Sequence, residues 1–197
     1  SFGNVLSNST FNGKIKYGEC FKYIFKYYTK EYNDLLKIHK CDLAKIGISN
    51  NSIELLIIDA MKSEYLANSI VKSFYPRVKK GALIFHQDFC HYHEPWIHII
   101  QYKYKDHFTP ICHIEDTSTY LFRCKKEVSE QEIKESNIME LSNEFIVKAF
   151  DHSLSLVDEQ PGNQNILACK IFCFMLKHEF TIASKLIDKI LEYSKHF

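Results

Sequence analysis

The run SIELLIIDA (residues 52–60) is apolar without alternation, rich in β-branched side chains and closed by an acid, the pattern of a strand buried on both faces. SEYLANSIVKSFYPRV (63–78) follows, with Tyr65, Leu66, Ile70 and Phe74 three or four residues apart. Ser63 and Glu64 suit a helix start and Pro76 a stop, so this stretch is expected to be a helix. KKGALIFHQDF (79–89) is the next strand, introduced by Gly81. Strand, helix and strand at this length predict a βαβ unit with parallel strands, whose carboxyl ends share one edge of the sheet. That edge is where open α/β sheets bind ligands, and the pattern puts Asp59 and Asp88 there together.

The flanks are less regular. SFGNVLSNSTFNGKIKYGEC (1–20) is rich in Gly, Asn and Ser and reads as loop. From about Glu19 to Lys37, apolar residues at Phe21, Ile24, Phe25, Tyr28, Tyr32 and Leu35 predict an amphipathic helix. A short strand over Leu36–His39 and a turn at Asp42 are expected next. HEPWIHIIQYKYKDHF (93–108) reads as a helix, and TPICHIED with TSTYLFRCK as an antiparallel hairpin. EVSEQEIKESN (127–137) is a charged short helix or linker, and three helical stretches run from Ser142 to the end, with Pro161-Gly162 dividing the first from the second. The expectation is therefore an α/β domain over 1–128, with a mostly parallel sheet and a C-terminal antiparallel hairpin, followed by a helical tail over 129–197 that caps the domain or docks a protein.

Composition narrows the class. The 197 residues are 46% hydrophobic, enough for a full core. Twenty-five Lys and Arg against 24 Asp and Glu leave a near-neutral field, which disfavours nucleic acid and anionic membranes as partners. No apolar run reaches the ~20 residues that cross a bilayer. Seven scattered cysteines without a CxxC pair fit a reducing, cytoplasmic setting rather than a disulfide framework.

Two acids at adjacent strand ends can hold a hard cation, act as a base or hydrogen-bond a ligand hydroxyl, whereas either alone can simply cap the next helix. His86, His91 and His93 surround Asp88 in sequence. With Asp59 they offer imidazole and carboxylate, a donor set for zinc, iron or manganese, although the spacing is no HExxH; surface or substrate-contacting histidines are the plainer reading. The ordinary imidazole pKa near ~6.5 also suits His86 as a general base toward a hydroxyl. Tyr92, Trp96 and Tyr102 either stack on an acceptor or fill the core.

The stretch LIIDAMKSEYLANSIVKSFYPRVKKGALIFHQDFCHYHEPWI resembles, in the order of its motifs, the second half of class I S-adenosylmethionine-dependent methyltransferases, in particular the branch of macrocin-type sugar O-methyltransferases. The resemblance implies a Rossmann-like sheet and methyl transfer to a hydroxyl of a small acceptor such as a sugar. It assigns catalysis to Asp59, His86 and Asp88 and a metal, Mg2+ or another divalent cation, to Asp59 and Asp88. Gln87, His91 and His93 would face the acceptor, beside Trp96 if that ring stacks on it instead of filling the core, and Asp42 would place the adenine of the S-adenosylmethionine; a turn aspartate is the other reading of Asp42. Such enzymes hold the donor with a glycine-rich turn and an acid after their second strand. Neither stands in these residues, so the chain is expected to be a fragment of a longer protein or a relative that no longer binds the cofactor. Two further functions stay open: a non-catalytic scaffold whose helical tail binds a protein or a second copy, and a metal-dependent hydrolase built on the His and Asp cluster.

Overall fold

The computed structural model describes residues 20–46, 51–158 and 161–194. All of the expected loop over 1–20 except Cys20 lies outside them. The chain divides into two compact units, Ser1–Cys41 and Asp42–Phe197. In the first, α1 spans Lys22–Tyr28 and a 3-10 turn spans Lys30–Tyr32. The single long helix expected here is interrupted at Thr29, whose hydroxyl donates to the Phe25 carbonyl at 2.8 Å and closes the last turn. Its apolar stripe is largely unburied: Ile24 is buried, while Phe21, Tyr28, Tyr32 and Leu35 are exposed. The strand expected at Leu36–His39 is absent, that stretch being irregular.

In the second unit β1 (Ile53–Ile58), α2 (Glu64–Phe74) and β2 (Val78–His86) form the expected parallel βαβ unit, with Ile58 opposite His86. Ser63 caps α2 through its hydroxyl, which accepts from the Leu66 N–H at 3.3 Å. Gly81, at φ 90°, supplies the left-handed backbone within β2 where the register jumps from Val78 opposite Ile53 to Leu83 opposite Leu55. α3 (Pro95–Lys103) leads to β3 (Phe108–His113) and β4 (Tyr120–Cys124), the antiparallel hairpin, and β4 inserts beside β2 to give the order β1-β2-β4-β3. Among the described residues the sheet is thus mixed: one parallel pairing and two antiparallel ones replace the mostly parallel sheet expected. β1 is an edge strand among the described residues, and its run is not buried on both faces. Leu56 and Ile58 enter the core, but Leu55 is 55% and Ile57 62% exposed.

The three C-terminal helices, α4 (Asn143–Leu154), α5 (Gly162–Leu176) and α6 (Phe180–Ser194), share the core of the α/β segment instead of forming a separate layer. Ile146 and Phe150 of α4 and Ile166, Cys169, Cys173 and Phe174 of α5 join Ile84, Phe89 and Ile99 in one cluster. Lys170, 6% exposed, is bound at 2.7 Å by Asp151, which ties α5 to α4. Gly162 opens α5 against the loop after β2: a Cβ there would meet Val157 Cγ1 at 2.8 Å and Cys90 Sγ at 3.5 Å. Because the β-branched Val157 has little freedom to withdraw, glycine is what lets this end of α5 approach so closely. No helix among the described residues is long and apolar enough to cross a membrane.

Two core histidines contribute to the acid response. Burial lowers both His86 and His98 to about 3; for His98 the neighbouring His86 adds to the effect. Folded-state values below the ordinary 6.5 mean that the unfolded chain binds more protons between about 6.5 and about 3, so stability present above that window is lost as pH falls through it. His98 packs its ring between Phe89 and Phe150, at 5.0 and 4.8 Å, with both nitrogens buried and unpartnered. His98→Phe is expected to keep the packing, raise stability by about 1 kcal/mol at pH 7 and flatten the loss between pH 6.5 and 4 by up to one proton. Chemical denaturation across that range checks this; an unchanged pH slope contradicts it.

Candidate active site at the carboxyl edge of the parallel pair

β1 ends at Ile58 and β2 at His86, paired side by side, and the Gln87 N–H donates to the Ile58 carbonyl at 3.0 Å. The chain then leaves both strands on the same edge, so Asp59 and Asp88 emerge together. They meet on the ammonium of Lys62, which lies 3.5 Å from Asp59 Oδ1, donates directly to Asp88 Oδ2, and stands 4.0 Å from Glu94 Oε1. Burial works against the Lys62 charge, but the hydrogen bond to Asp88 and the charges of Asp88, Glu94 and Asp59 outweigh it and raise the lysine pKa. The side chain of Asp59 is 57% exposed and that of Asp88 16%, so the cluster grades from solvent into the protein.

Glu94 is its innermost member. Its side chain is 4% exposed, Oε2 has no hydrogen-bond partner, and burial pushes its pKa up to about 7 against the pull of Lys62. His91 and His93 lie beside it with rings 4.3 Å apart, and His93 Nε2 is 3.7 Å from Glu94 Oε1. Burial lowers His91, as does the charge of His93, while Asp88 opposes the shift. One nitrogen from each imidazole and one Glu94 oxygen lie within 4.8 Å of one another.

His86, expected here as a base, is fully buried. Its Nε2 faces the Gln101 amide nitrogen and, at 3.4 Å, the Tyr75 hydroxyl. With the amide oriented so, Gln101 can only donate, which makes Nε2 the acceptor and puts the proton on the unpartnered Nδ1. A neutral histidine with its lone pair engaged in the core does not fit proton abstraction from an acceptor. Trp96 packs between α2 and α3, lining a water-sized cavity with Ala67, Asn68 and Ile100, apart from the acidic cluster. Gln87 is exposed at the rim, its carbonyl accepting from the Thr119 hydroxyl at 3.5 Å.

Asp42 caps a 3-10 turn over Leu43–Lys45: its Oδ1 accepts from the Ala44 N–H at 3.1 Å and its Oδ2 lies 3.6 Å from the Lys45 ammonium. Among the described residues, this acid serves its own turn and does not fit an adenine clamp. The Asp59 and Asp88 pair likewise has its positive charge supplied by Lys62, so a divalent cation fits between them only by displacing that ammonium.

Compared with protein-family models, with curated proteins and with solved structures, the chain matches none of them.

Lys62→Gln is expected to lower stability by about 1 kcal/mol at pH 8, where Glu94 is ionised. The loss shrinks at pH 5.5, because Glu94 with its pKa of about 7 has taken up a proton and no longer needs the ammonium. Denaturation midpoints at the two pH values check this; equal losses at both contradict it.

Proposed function

We infer that the edge carrying Asp59, Lys62 and Asp88 binds a small hydroxylated acceptor, such as a sugar, and that the chain is the acceptor side of an S-adenosylmethionine-dependent O-methyltransferase with a Rossmann-like sheet. The observation that carries this reading is the gathering of the two strand-end carboxylates on one ammonium at the ligand-binding edge of a parallel pair. The motif order from Leu56 to Ile97 and the antiparallel hairpin after the βαβ unit support it.

Carboxylates and an ammonium at one rim suit vicinal hydroxyls: the carboxylates accept from O–H groups and Lys62 donates to an oxygen lone pair. Asp59, the open member, is placed to orient the reacting hydroxyl and take its proton as the oxygen is alkylated. Asp88, held by Lys62, fixes a neighbouring hydroxyl, so the pair acts chiefly by positioning. S-adenosylmethionine, when bound, supplies an electrophilic methyl group.

The test is a radiolabelled methyl-transfer assay with the protein at its natural length against a panel of sugars and nucleoside sugars, alongside calorimetry with S-adenosylmethionine. The reading predicts donor binding and transfer to a hydroxyl. Asp59→Asn is expected to lower kcat by about 10²-fold or more while donor affinity stays unchanged. Absence of donor binding and of transfer would overturn it in favour of a non-catalytic scaffold.

A further inference from the structure

The loop between β2 and α3 carries a second constellation, which shares Glu94 with the rim cluster and adds two histidines to which the proposed methyl transfer gives no step. Cys90 to Glu94 reads CHYHE, and the tight turn brings His91 and His93 onto the same side as Glu94. Three features separate this group from a chance surface cluster. Its carboxylate is almost fully buried, with Oε2 lacking any hydrogen-bond partner. An ionised oxygen in that setting is costly unless a cation or donor meets it. His91 Nδ1 is also buried without a partner. And the spacing is near what a metal needs: ligand atoms around a tetrahedral zinc ion sit roughly 3.4 Å apart, against 3.7 Å between His93 Nε2 and Glu94 Oε1 and at most 4.8 Å across the trio.

We propose that His91, His93 and Glu94 form a binding site for a first-row transition-metal ion of the zinc class. Two imidazoles and one carboxylate are a borderline donor set that selects such ions over Mg2+ or Ca2+. Three protein ligands leave a coordination position open to water or a substrate oxygen, the arrangement of catalytic rather than structural zinc. His93 is 45% exposed, which gives the ion a path in, while the buried Cys169 and the half-buried Phe172 of α5 stand on the inner side. The charges around the trio are close to balanced. Lys62, 4.0 Å from Glu94, opposes a cation, and Asp88, which holds that same ammonium, favours one. Metal binding would draw Glu94 away from Lys62 and leave Lys62 to Asp88 and Asp59.

The site is tested by titrating chelator-stripped protein with Co2+, read by its visible ligand-field bands, and by displacing the Co2+ with Zn2+. The proposal predicts one equivalent bound. His93→Ala, whose side chain is largely outside the core, and the near-isosteric Glu94→Gln each weaken binding by about tenfold or more. His178→Asn, at a distant surface position, leaves it unchanged. Circular dichroism establishes that each variant is folded. No ligand-field bands in the parent protein, or Co2+ affinity unaltered in His93→Ala and Glu94→Gln, would overturn the proposal. The readout involves no methyl donor, so its failure leaves the acceptor-site reading standing, and a failed transfer assay leaves the metal site standing.

Discussion

The parallel pairing of β1 with β2 is the constraint on which the site depends. Once Ile58 is fixed opposite His86, the next residues of both strands leave the sheet at one edge, and two carboxylates that are 29 positions apart in sequence become neighbours. Like charges so placed repel unless something positive lies between them. Lys62 reaches back from the turn before α2 and supplies that charge. The βαβ topology therefore creates an electrostatic problem at the ligand edge and, four residues beyond the end of β1, also carries its solution.

The same edge is graded. Asp59 faces solvent, Asp88 is largely covered, and Glu94 is buried under α5 with a pKa near neutrality. A site of this form presents an open carboxylate to an incoming molecule and keeps a second acid in a low-dielectric pocket where its protonation is sensitive to whatever binds nearby. The helical tail belongs to this arrangement. Through Gly162 and Cys169 it closes over the Cys90–Glu94 loop, so the helices that read as a separate cap form part of the wall around the acids.

Much of this was legible in the residues themselves. The βαβ unit, its parallel sense and the shared rim of Asp59 and Asp88 follow from an apolar run, a Pro stop and a short helix, because such signals are local. The place of His86 was also legible in hindsight: Ala82, Ile84 and His86 alternate on the buried face of β2, so strand parity sends that imidazole inward. Parity likewise separates buried Leu56 and Ile58 from exposed Leu55 and Ile57, which an unbroken apolar run conceals. Lys62 and Glu94 were not legible, since a lysine at a helix entrance and an acid in a loop have no periodic signal and gain meaning only from tertiary neighbours. The adjacency of two histidines and an acid in HYHE was the one available hint. Of the helix expected over Glu19–Lys37, Lys22–Tyr28 is helical; the break at Thr29 was not legible, because the apolar spacing carries on through Tyr32 and Leu35.

The central claim is that Lys62 couples energetically to the strand-end acids. A double-mutant cycle on Lys62→Met and Asp88→Asn, read by denaturation at pH 8, measures that coupling directly. The account predicts a favourable interaction of about 1 kcal/mol or more, and single-variant effects that add within about 0.3 kcal/mol would contradict it.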